Sequence, residues 1–473
     1  MQRTFHPCSL AMVAVFALLP VIGCATQPSD ESGDARNVDE IADEYVEKYF
    51  EKFPQSATSE GVAEADHDRL DDISPEAYAA WREVEDDLLS RLNAIDASAL
   101  EGKPQHLTHR FLTSRLEQSI GRRVCRMEMW NVSPTYTGWQ ARIAFLASIQ
   151  PVAGPTERDD ALSRFTSLPA YLDQEQANLR QGLADGYSAP ANNVRAVIDQ
   201  IEALIETPVQ SSPFMQLARE GPDDYGETVR DLIEADITPA LVKYRDFLRN
   251  EYLPQARTTV GVKANPNGEA CYRASVVYYA TYEVPATEVH AVGLEQMRVI
   301  EEQMRQIGER SFGVSEPSEL MRVVRRAPYL FTSRSEILDY VQSAVDRSRD
   351  AVPEWFGIVP KADVIVEPYP EWQEKNAPGA EYQGPSDDGS RPGIYRVNTY
   401  RPETISKAGI ESTAFHEAYP GHHLQIAIAK ERDDLHDVQR YFGPSGFSEG
   451  WALYSVRLSD EMGRFSDDVD GVG

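Results

Sequence analysis

Cysteine is scarce in this chain, with four in 473 residues, and histidine numbers nine. There is no paired CxxC, no phosphate-binding loop, no glycine-rich dinucleotide turn and no internal repeat. Basic residues are outnumbered, 46 Lys and Arg against 76 Asp and Glu, for a net charge of −30. Such a field repels phosphate backbones and argues against nucleic acid as a partner. It otherwise describes a solvated surface and says little about any pocket. Beyond the first residues no apolar run approaches the ~18 residues that span a bilayer. What is present is ordinary for a globular protein, 41% hydrophobic and 26% charged, with length enough for one large or two modest domains.

The N-terminus reads as a targeting segment. Arg3 supplies a positive charge, Leu10 to Leu19 an apolar stretch too short to span a membrane, and Val21-Ile-Gly-Cys24 resembles a lipobox. Residues 1–23 are therefore expected to be a lipoprotein signal peptide, with Cys24 acylated as the mature N-terminus and a membrane attachment through that lipid. Ala25 after the cysteine suits outer-membrane sorting in a Gram-negative host. Residues 24–37 read as a flexible tether, and 38–473 as one domain. Cys8 leaves with the signal, so Cys125 and Cys271 remain in an oxidising compartment, either bridged or as two buried thiols.

Most of the body carries helical periodicity. Residues 38–53 form an amphipathic pattern stopped by Pro54. Ser74-Pro opens a helix to about Ile95, with serine as N-cap and proline in the first turn. Further helices are expected over 107–126, 168–183, 193–205, 228–253 (kinked or split at Pro239), 286–307 and 335–352. The Trp/Tyr/Pro-rich connection 127–154, with Trp130, Tyr136 and Trp139, either packs between helices or lines a cleft. The pattern turns β-like at 364–370 and again at 393–399, separated by a Gly/Pro/Asp-rich run.

Chemistry concentrates near the C-terminal end. Thr413-Ala-Phe-His416-Glu417-Ala-Tyr-Pro420-Gly421-His422-His423 holds three of the nine histidines, and Gly446-Phe-Ser-Glu449-Gly-Trp-Ala-Leu-Tyr454 follows. Two histidines and a later glutamate make a zinc ligand set with one open position. The usual zincin spacing, H-E-x-x-H, places both histidines on one helical face. Here the fourth position after His416 is Pro420. On an unbroken helix His422 lies roughly 120° off that face, and His423 lies about 10 Å along the axis, too far to share an ion. The helix must therefore bulge at Pro420-Gly421. Looping out two residues brings in His422, and looping out three brings in His423, with His422 preferred.

These two segments, His-Glu-Ala-Tyr-Pro-Gly-His-His and Glu-Gly-Trp-Ala-Leu-Tyr, resemble the signature of the DUF885 family of bacterial proteins, often lipoproteins and mostly helical, which are similar to gluzincin-type zinc metallopeptidases. The resemblance implies a large, mostly α fold with a small β-sheet beside the zinc helix. It implies one Zn²⁺ held by His416, His422 (or His423) and Glu449, with Glu417 activating water to hydrolyse peptide bonds in short peptides. A metal-dependent amidase or esterase, or a non-catalytic metal-binding lipoprotein of the cell envelope, are the alternatives. Tyr454, Tyr395 and the spare histidine are candidate oxyanion donors. The strand at 395–399 is placed either as an edge that pairs with substrate or as a cover for the core. His290 could support the site or sit apart from it. The family pattern usually runs beyond the second motif, so its C-terminal portion is expected to be missing here, which bears on activity. No partner protein follows from the sequence.

Overall fold

The computed structural model describes residues 31–62 and 65–472. The signal segment, Cys24 and the start of the tether lie outside them. The protein is mostly α-helical, with one three-stranded sheet.

The first helix, α1 (Glu31–Lys52), begins inside the expected tether rather than at residue 38. An acidic residue in the opening turn, Asp34, suits the positive end of a helix. Its inward face carries Val38, Ile41, Ala42 and Tyr45. After α2 (Pro54–Glu60), α3 (Pro75–Asn93) starts where expected, Ser74 accepting the Ala77 N–H, and α4 (Pro104–Arg122) completes the first layer. Leu88, Leu92, Leu112 and Leu116 close this core against α1.

A second core is built by α5 (Trp139–Ile149), α6 (Pro155–Thr166), α7 (Leu168–Ala184), α8 (Ala191–Glu206), α9 (Asp223–Leu232) and α10 (Thr238–Phe247). The stretch expected to kink or split at Pro239 is divided there: a π turn over Ile233–Ile237 joins α9 to α10, and Pro239 stands in the first turn of α10. The 127–154 connection divides its roles. Trp139 is buried against Tyr244, whereas Tyr136 faces the cleft described below.

Next come α11 (Gly268–Ala280), α12 (Ala286–Ile307), α13 (Pro317–Val324) and α14 (Arg334–Trp355). Cys125, just after α4, is disulfide-bonded to Cys271 on α11, which settles the two alternatives. The bond closes 146 residues of sequence. Replacing both cysteines by serine is expected to cost about 2–5 kcal/mol, read as a lower thermal midpoint. An unchanged midpoint would contradict that.

The sheet contains β1 (Val364–Pro368), β2 (Ala380–Gln383) and β3 (Gly393–Val397) in the order β1-β3-β2, with the short α15 (Glu371–Glu374) between the first two. The strand expected as an edge, β3, is therefore central, parallel to β1 and antiparallel to β2. The sequence hid β2 because it lies in the Gly/Pro/Asp-rich run that read as loop. The sheet packs with α14, α16 (Ile410–Glu417) and α17 (His422–Lys430) around Phe331, Val345, Tyr395, Phe415 and Tyr419. The last helices, α18 (Asp437–Tyr441) and α19 (Ser445–Glu461), return the chain to the first layer, where Phe442 packs on Tyr45 and Tyr49. Among the described residues no helix is long and apolar enough to cross a membrane.

Candidate metal centre

The motif does not form a bulged helix. It forms two helices. α16 ends at Glu417, Ala418 leaves helical geometry (φ −105°, ψ −102°), the Tyr419–Pro420 peptide is cis, and α17 starts at His422. A side chain at Gly421 would place its Cβ 1.9 Å from the His416 carbonyl oxygen and 2.4 Å from that of Phe415, so only glycine permits the chain to return this closely. The carbonyls released by the break find partners. Ser348 Oγ donates to Tyr419 O at 2.8 Å, Trp451 Nε1 to Pro420 O at 2.9 Å and Ser455 Oγ to Phe415 O at 3.2 Å. Two of those three donors sit on α19, so the helix that carries Glu449 also holds the turn that aims the histidines.

This fold-back brings His416, His422 and Glu449 together, with one ligand atom from each within 4.8 Å of the others. Glu449 Oε2 lies 3.5 Å from His416 Nε2 and 3.6 Å from His422 Nε2. Ligands bonded at ~2.1 Å to one tetrahedral ion stand about 3.4 Å apart. The two rings are nearly perpendicular, 87°, with centroids 4.7 Å apart. Burial holds His416 below its usual pKa, and burial together with His416 pushes His422 down to about 4. Both rings are therefore neutral beside a carboxylate, and two imidazoles and a carboxylate converging in this way make a donor set suited to a cation. Ser448 Oγ sits 3.2 Å from His422 Nδ1, which occupies that nitrogen and leaves Nε2 facing Glu449. The donor set therefore suits a zinc ion with an open position.

His423 is decided by its partners. It is fully buried; Nε2 donates to the Ala362 carbonyl at 3.0 Å, and Nδ1 meets Tyr382 Oη at 2.8 Å. Both nitrogens are spent, and burial pushes its pKa down to about 4. Gly393 makes room for this pair, since a Cβ there would come within 2.7 Å of both groups. His423 thus ties α17 to the sheet, with neither ring nitrogen left for a metal or an oxyanion.

Glu417 and the three converging residues line one wall of a cleft of about 1780 Å³. Burial, then Glu449 and Glu381, push the Glu417 carboxyl up to about 8. The remaining walls come from α2, α5 and the sheet face bearing Ile394 and Arg396.

A family model described as bacterial protein of unknown function (DUF885) matches residues 54–473. The chain belongs to the DUF885 family. Among solved structures, this DUF885 chain is similar to a putative lipoprotein from Colwellia psychrerythraea, with TM-score 0.80 and 20% identity over 93% of this chain and 80% of that one. A putative lipoprotein of unknown function from Shewanella oneidensis gives TM-score 0.62 and 14% identity over 92% and 80%. At these identities the likeness is one of fold. No curated protein matches significantly.

Two other sequence candidates of the DUF885 chain lie away from the site's open space. Tyr454 is 51% exposed and off the cleft wall, and Tyr395 is fully buried in the core beneath the sheet. His290 is exposed on α12. The phenol that does face the cleft within electrostatic reach of Glu449 is Tyr136. Its only signal in the sequence was its place in an aromatic, proline-rich connection.

Proposed function

We propose that this protein is a zinc-dependent hydrolase of peptide bonds in short peptides, attached to the bacterial cell envelope through a lipid on Cys24. The observation that supports this most directly is the meeting of His416, His422 and Glu449 within 4.8 Å beside Glu417, on the wall of a large cleft. Bound zinc would supply a Lewis acid that acidifies water and polarises a carbonyl. His416, His422 and Glu449 would hold it. Glu417, whose carboxyl the charge of a bound cation would return to the ionised form, takes the proton of the attacking water and passes it to the departing amine. Tyr136, on the cleft wall and within electrostatic range of Glu449, would hydrogen-bond the carbonyl oxygen as it gains charge. The strand next to the site is β2, whose residues 380–383 all line the cleft and whose outer edge has no strand beside it among the described residues. An extended peptide can pair there through its backbone.

Incubating the purified chain with short peptides, simple amides and esters tests the reaction class. Cleavage of peptide bonds, abolished by a chelator and restored by zinc, is expected. Hydrolysis of esters alone would remove the peptidase reading.

A further inference from the structure

We infer that Arg142 receives the C-terminal carboxylate of the peptide, so that the protein acts on substrates with a free C-terminus. This rests on the cleft being a peptide site, as proposed above, and adds the end of the substrate that is recognised.

The cleft is acidic. Glu60, Glu367, Glu371, Glu381, Glu417 and Glu449 all line it, and of these Glu60 is paired with Lys430. A free carboxylate is repelled from such a lining unless a cation receives it. Three arginines also line the cleft, and two are already engaged. Arg391 donates to the carbonyls of Gly384 and Ser59, both at 2.8 Å. Arg396 lies between Glu381 at 3.2 Å and Glu367 at 3.8 Å.

Arg142, on α5, differs from both. Its side chain is 42% exposed, and among the described residues its one ion pair is with Asp71, at 3.5 Å. Asp71 is itself fixed from behind, its backbone N–H donating to Gln55 Oε1 at 2.9 Å and its Oδ1 accepting the Gln55 N–H at 3.2 Å. The guanidinium is thus oriented by a buried carboxylate while most of its five donors stay open to the cleft. One phenol of the cleft stands close to it. Tyr49 lies within electrostatic range of Arg142, and Tyr278, which lines the same cleft, within range of Tyr49. Neither hydroxyl has a hydrogen-bond partner among the described residues. A planar fork with flanking O–H donors matches a carboxylate, which accepts two parallel hydrogen bonds from the fork and has lone pairs left for the phenols. A structural role for Arg142, neutralising Asp71, needs only one of those donors.

The experiment uses the full chain carrying Glu417→Gln, so that bound peptide persists. Two pools of N-acetylated random pentapeptides lacking Asp and Glu are equilibrated with it, one ending in a free carboxylate and one in an amide. Retained peptides are counted by mass spectrometry. The acid pool is expected to be retained roughly tenfold to a hundredfold more than the amide pool, the range of a lost charge-assisted contact. Adding Arg142→Ala should erase the difference, and Arg142→Lys should keep part of it. Arg142→Ala with Asp71→Asn, which leaves no unpaired buried charge, should erase it as well, and serves if the single variant does not fold. Equal retention of the two pools, retention of neither, or a preference that survives loss of Arg142 overturns the inference. Using the unsubstituted chain separates the two claims. Cleavage of both pools alike removes the carboxylate anchor and leaves the hydrolase. Acid-selective retention without any cleavage does the reverse.

Discussion

Glu417→Gln is expected to lower turnover of short peptides by a factor of about 100 to 10,000, the usual contribution of a positioned general base. Metal content should stay near that of the unsubstituted chain. Glutamine keeps the shape and a hydrogen-bonding oxygen but cannot accept a proton at neutral pH. Glu417 lies outside the three ligands, at the last residue of α16, where the helix breaks and its side chain lines the cleft. Parallel measurement of turnover and zinc separates the roles. Unchanged turnover eliminates Glu417 as the base, and loss of zinc along with turnover makes it part of the metal's support instead.

The second large effect is on the metal itself. The unsubstituted protein, purified without chelators, is expected to carry about one zinc per chain. His416→Ala, His422→Ala and Glu449→Ala should each bring this close to zero, because a site with two remaining ligands holds zinc weakly. His423→Ala is the contrasting variant, since its two nitrogens are bound to Ala362 and Tyr382. It should retain zinc while loosening the contact between α17 and the sheet, seen as a thermal midpoint lower by several degrees, as about 1–3 kcal/mol implies. Zinc lost from His423→Ala but kept by His422→Ala would reverse the assignment of the ligand.

The residues of the candidate site were legible because side-chain chemistry is local: His416, Glu417, His422 and Glu449 stand in two short motifs, and the spacing around Pro420 already ruled out a regular helix. The manner of the break was not legible. A bulge and a full stop followed by a new helix both return His422 to His416. What distinguishes them is Ser348, Trp451 and Ser455, which satisfy the freed carbonyls from other parts of the chain. The choice between His422 and His423 likewise depended on Ala362 and Tyr382, far off in sequence. Strand order failed for a related reason. The composition of β2 is that of a loop, and its pairing to β3 makes it a strand. Arg142 gave no signal at all, because what sets it apart is how few of its donors are used.

The contact between the first and last helices bears on the order in which the protein assembles. Tyr45 and Tyr49 of α1 pack on Phe442, and Lys430, at the end of α17, pairs with Glu60 of α2 while donating to the Pro385 carbonyl at 2.8 Å. Those pairs join residues nearly 400 positions apart, 370 in the case of Lys430 and Glu60. Closing so large a loop is entropically slow compared with forming the local helix pairs of the second core. α17 is therefore expected to dock late, after the cleft's far wall exists, and capture of the proposed metal would then belong among the final events of folding rather than serve as its nucleus.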